Sequence, residues 1–108
     1  MAKVKLTVLK RFTPEDVLGK NPSITPKFGN QACPVFKDGQ EVVVGYVRDP
    51  DVFPCESAWA AIRPYLVALF AGGDLDMIGA GKPNLAVISC PDGFRPVVFK
   101  MERVAPEE

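Results

Sequence analysis

The chain is expected to fold as an α+β domain, with a single small antiparallel sheet of about four strands and one main, proline-kinked helix packed on one face. Three observations carry this expectation. Apolar and polar side chains alternate with a period of two in residues 3–11 and 96–104. Residues 56–71 instead place apolar side chains three and four apart. Turn-forming clusters, including Asp38-Gly39 and Pro91-Asp92-Gly93, separate the periodic runs. A length of 108 residues suits one domain spanning 1–108. A chain of this size buries roughly two-thirds of the surface it exposes when unfolded, which makes a core without disulfide staples.

Taken in order, residues 3–11 put Val4, Leu6 and Val8 on one side and Lys3, Lys5 and Thr7 on the other, the pattern of a half-buried strand. Thr13-Pro14-Glu15-Asp16 is a helix start: Thr13 caps, Pro14 fits the first helical position, and two acids meet the positive end of the dipole. Gly19 ends this helix after little more than a turn. Residues 20–34 hold Pro22, Pro26, Gly29 and Pro34 without any period, and so form a long loop. Asp38-Gly39 turns into a strand over 40–47, which Arg48-Asp49-Pro50-Asp51 breaks. The main helix over 56–71 buries Ala58, Trp59, Ile62, Tyr65, Leu66, Leu69 and Phe70. Pro64 removes a backbone donor, so a kink or a division into two short helices is expected there. Gly72-Gly73 stops the helix through a left-handed cap. After a glycine-rich connection over 74–83, Leu85–Cys90 and Pro96–Val104 are strands joined by Pro91-Asp92-Gly93 as an antiparallel hairpin. The element order is β-α-β-α-β-β.

Charge excludes some functions. Thirteen basic residues balance thirteen acidic ones, so the chain lacks the positive surplus that nucleic acid or an anionic membrane requires. The longest apolar stretch is interrupted by Arg63 and Pro64 and is too short to span a bilayer. The N-terminal residues lack the apolar run of a signal peptide. With an odd cysteine count, this favours reduced thiols in the cytoplasm.

The chain has three cysteines and no histidine. That removes Ser-His-Asp and Cys-His catalytic units and any histidine-bound metal. Cys33, Cys55 and Cys90 each adjoin a proline, and each stands where a loop meets a regular element. Cys55 precedes the main helix, where positive potential favours a thiolate, although Glu56 opposes it. The competing reading is a small buried hydrophobe that tucks the helix start inward. The cysteines are 22 and 35 residues apart, unlike paired Cys-x-x-Cys knuckles, so spacing alone gives a weak metal signal. Three thiolates with a fourth ligand from Asp92, Asp51 or water would make a zinc or iron–sulfur site. Three unlinked structural cysteines account for the same residues.

Polar neighbours of the thiols are Glu56, Arg63, Asp92 and Arg95. Arg63 and Arg95 are candidates for holding an anionic substrate, Asp92 for lining the site, and Trp59 for an aromatic wall one turn from Cys55. Most such charged residues in proteins are simply solvated, and a lone tryptophan on this helix is ordinarily core. Gly79-Ala80-Gly81-Lys82 invites a phosphate-loop reading. Pro83 stands where the following helix should begin, and the spacing departs from the motif, so turn chemistry explains these glycines better.

The order Cys33-Pro34, Asp38-Gly39-Gln40, Cys55 with Ala58-Trp59, Ile62-Arg63-Pro64, Gly72-Gly73, Cys90-Pro91-Asp92-Gly93 and Arg95-Pro96-Val97-Val98-Phe99 resembles a family of small prokaryotic proteins with no settled activity. The resemblance covers nearly the whole chain. It implies that the cysteines belong together and supplies no reaction. The loop over 20–34 looks like an enlargement relative to that family.

Three functions follow as expectations. The first is a cytoplasmic three-cysteine site, with a metal such as zinc or an iron–sulfur cluster as its leading ligand. The second is a thiol-dependent enzyme with Cys55 as nucleophile or redox thiol. The third is a non-catalytic accessory subunit, acting as a homo-oligomer or with a larger enzyme partner through a free sheet edge. Neither nucleic acid nor a membrane is expected as a partner.

Overall fold

Alternation along the first strand sets the sheet. The computed structural model of the chain describes residues 2–21, 23–46, 53–78 and 81–105. Within these, the strands are β1 (Lys3–Arg11), β2 (Glu41–Val44), β3 (Leu85–Ser89) and β4 (Val97–Val104), the α-helices are α1 (Pro14–Leu18) and α2 (Glu56–Phe70), and a 3-10 turn covers Asp76–Ile78. The four strands form one antiparallel sheet in the order β2-β1-β4-β3. Chain-distant β1 and β4 therefore occupy its centre, and the hairpin β3–β4 supplies one edge.

Register turns the sequence alternation into rows of packed side chains. Leu6 pairs with Val42 on one side and Met101 on the other, and Met101 pairs with Ala86. The next row runs from Val8 through Phe99 to Ile88. These rows meet Ala58, Ile62, Leu66 and Leu69 from α2, all fully buried. Helical spacing of three and four puts those four side chains on one stripe. Trp59, Tyr65 and Phe70 flank the stripe and are half-buried.

Pro64 does not divide the main helix: α2 runs from Glu56 to Phe70 with Pro64 inside it. The reason lies in its placement. Pro64 and Ala60, four residues before it, are both exposed. The carbonyl that loses its amide partner therefore stands on the wet side of the helix, where water replaces the bond. At its C-terminal end, the Gly72 N–H donates to the Leu69 carbonyl and the Gly73 N–H to the Ala68 carbonyl, at 3.1 and 2.8 Å. This is a Schellman cap, and Gly72 takes the positive φ of 80° that it needs. Arg103 of β4 adds a second lock, donating from Nη1 to the carbonyls of Leu69 and Gly73 at 2.8 and 3.1 Å.

The second strand is shorter than the sequence reading. The second strand stops at Val44, short of the expected 47, and Arg48-Asp49-Pro50-Asp51 lies outside the described residues. α1 behaves as read: Thr13 and Asp16 form a reciprocal capping box, and Gly19 follows with φ 64°.

A bulge in β1 has the largest consequence for the site. Val8 pairs with Phe99 but Lys10 pairs with Val98, so Leu9 is an extra residue on the β1 side. Without it, Lys10 would oppose the buried Val97. With it, Arg11 takes that place. The one-residue insertion moves Arg11 to the face of the sheet that carries the core.

Candidate functional site

The three cysteines arrive from separate segments and line one cleft of about 370 Å³. Val35 and Phe36 accompany Cys33, Ser57 and Ala58 accompany Cys55, and Pro91, Asp92, Arg95 and Val97 accompany Cys90. All three thiols are free and half-buried, each also touching the hydrophobic core.

Each cysteine is held by a different device. Cys90 is the last residue before the hairpin turn. Its N–H donates to the Val97 carbonyl at 3.0 Å, and its Sγ accepts from the Val97 N–H at 3.3 Å. Cys55 is the N-cap of α2: its carbonyl accepts the first helical bond, from Trp59 N–H at 3.0 Å, while its side chain makes no capping bond. The positive end of the helix dipole thereby becomes part of the cleft wall. Cys33 belongs to the loop, and Arg11 fixes it there. Arg11 Nη1 donates to the carbonyls of Cys33 and Phe36 at 2.9 and 3.0 Å, and its Nε donates to Asp38 Oδ1 at 3.2 Å. Phe36, 2% exposed, forms the floor, packed at ring separations of 5.4 and 5.1 Å against Phe53 and Phe99.

The turn between β3 and β4 brings the charged groups. Asp92 Oδ1 accepts the backbone N–H groups of Phe94 and Arg95 at 2.8 and 3.2 Å, an Asx turn that shapes the loop. Its other oxygen lies 3.9 Å from Arg95 Nε, too long for a good hydrogen bond. Arg95 and Asp92 thus stand in the cleft wall as a loosely matched pair.

Other residues singled out from the sequence lie elsewhere. Arg63 is exposed on α2 and Trp59 packs on Phe53 at 5.9 Å; neither lines the cleft. Glu56 also lies outside the lining, and Asp51 falls outside the described residues. Among the described residues, no group of three or more Cys, Asp or Glu is assembled in ion-holding geometry. The sulfurs share a cleft without forming a closed coordination shell. No described helix is long and apolar enough to cross a membrane.

Arg11 and Phe36 were not legible as site residues. Arg11 looks like an ordinary strand-end cation, and its partners lie 22 to 27 residues away. The one available signal is the break of alternation at Leu9. Comparison of the chain with protein-family models, curated proteins and solved structures finds no match.

Proposed function

We propose that the protein is a reduced, cytoplasmic thiol-site protein whose three-cysteine cleft captures a soft metal ion. The observation that carries this reading is the meeting of Cys33, Cys55 and Cys90 at one solvent-reaching cleft. Structural cysteines are among the most buried residue types, whereas none of these three is fully buried. Thiolates suit zinc and other borderline or soft ions, and coordination itself deprotonates them. Capture requires the sulfurs to close on the ion, and rotation between staggered χ1 wells supplies that movement for a side chain as short as cysteine. Asp92 is the carboxylate in the cleft lining and the natural fourth ligand.

The test is titration of the reduced full-length chain with Co²⁺, followed through sulfur-to-metal charge-transfer absorption, with Zn²⁺ competition. One equivalent should saturate the signal, and Cys→Ser substitution at any of the three positions should weaken it. Three thiols that remain freely titratable beside excess Zn²⁺ would defeat the reading.

A thiol-dependent enzyme is the second reading, favoured by Arg95 in the lining of the same cleft as Cys55. It requires one cysteine that alkylates much faster than the other two near neutral pH.

A further inference from the structure

We propose that a second cleft, which shares Asp92 and Arg95 with the thiol cleft, binds a small aromatic carboxylate. It measures about 260 Å³ and is walled by Lys27, Phe28, Phe94 and Arg95, with Asp92 at its edge. Pockets for drug-sized ligands begin at about 300 Å³, so this one suits a single ring bearing one acidic group.

The cations are placed for an anion. Lys27 Nζ and Arg95 Cζ lie 5.5 and 5.4 Å from the centroid of the Phe28 ring. The aromatic quadrupole attracts each positive group to the Phe28 ring that lines the cleft. Among the described residues, Lys27 has no hydrogen-bond or ion-pair partner, and the only carboxylate near the Arg95 guanidinium stands at 3.9 Å. The donors of both side chains are therefore uncommitted. Both side chains line the cleft, so a carboxylate there can engage the arginine fork through two parallel hydrogen bonds and take the lysine as a further cation.

Charge selects the class of anion. Two cations and the Asp92 carboxylate leave the lining with one net positive charge, which matches a monoanionic carboxylate better than a dianionic phosphate. Apolar surface selects the remainder of the ligand. Phe28 is 61% exposed and Phe94 41% exposed, and a ring laid against them removes that surface from water. The proposal does not rest on metal capture, although Asp92 and Arg95 line both clefts and a bound acid would sit at the rim of the thiol site.

The experiment is a titration of the ¹⁵N-labelled full chain with sodium benzoate, with acetate and phenyl phosphate as comparison arms and a chelator present throughout. Benzoate should bind with millimolar affinity, as about nine non-hydrogen atoms allow. Its shifts should be confined to amides around residues 27–29 and 92–95. Arg95→Gln should weaken binding about tenfold or more, the loss expected for charge-assisted hydrogen bonds. Lys27→Gln, an exposed substitution that leaves folding intact, should weaken it severalfold. Absence of saturable shifts, equal binding of acetate, tighter binding of phenyl phosphate, or unchanged affinity in Lys27→Gln would each overturn the proposal. Because the chelator removes metal, these outcomes are separate from the fate of the thiol reading.

Discussion

Replacing Arg11 by alanine should release Cys33 from its cleft while leaving the other two thiols in place. The side chain makes two bonds to the Cys33 and Phe36 carbonyls and one to Asp38. Bonds from a charged donor contribute about 1.5–3 kcal/mol each in mutational series. The Asp38 carboxylate is 64% exposed, so that contact adds only about 0–1 kcal/mol. The freed carbonyls are partly hydrated afterwards, which favours the low end for each bond. The expected loss is therefore about 3–4 kcal/mol in urea unfolding, a large share of the ordinary stability of a domain. Arg11→Lys should recover about half, since an ammonium cannot span both carbonyls with the guanidinium geometry. Site-resolved alkylation followed by peptide mass spectrometry gives the second readout. Cys33 should label faster in Arg11→Ala, whereas Cys55, held by α2, and Cys90, held by the hairpin, should keep their rates. A stability change under about 0.5 kcal/mol together with an unchanged Cys33 rate would refute the assignment of Arg11 as the positioning residue.

Three further outcomes are expected. Phe36→Ala should cost about 3–5 kcal/mol in denaturant unfolding, because the ring is buried between Phe53 and Phe99 and its loss opens a cavity under the thiols. Arg103→Gln should cost about 1–3 kcal/mol and raise hydrogen exchange in the last turn of α2, leaving its first turn unchanged. The Asp16 carboxyl is held below its ordinary value of 3.8, first by the Thr13 backbone N–H and then by the Thr13 side chain. A depressed value means that the stabilisation is complete above 3.8 and disappears as pH falls through the lower folded value. Thermal unfolding of wild type and Asp16→Asn across that acid range should show the difference between them shrinking as pH drops, and a difference independent of pH would count against the capping box.

Local patterns made much of the architecture readable. The alternation at Val4, Leu6 and Val8, the helical stripe at Ala58, Ile62, Leu66 and Leu69, and the cap at Thr13 are properties of adjacent residues, and each appears where the periodicity puts it. Pro64 illustrates the limit of that reasoning. Its missing donor is visible in sequence, but whether the helix divides depends on whether the orphaned carbonyl faces water, which is set by how α2 lies on the sheet.

Readable along the chain are the main elements and the chemical inventory: the two α-helices of the described residues, the hairpin, three thiols and no imidazole, though not the 3-10 turn over Asp76–Ile78. Periodicity, caps and turns act within a few residues, so they can be read along the chain. The tertiary structure alone decided that β1 lies between β2 and β4, that Leu9 bulges so that Arg11 reaches the loop, and that residues as distant as Cys33 and Cys90 line one cleft. Strand order and bulge placement are selected by packing between segments far apart in sequence. Those long-range contacts leave no periodic mark on either partner.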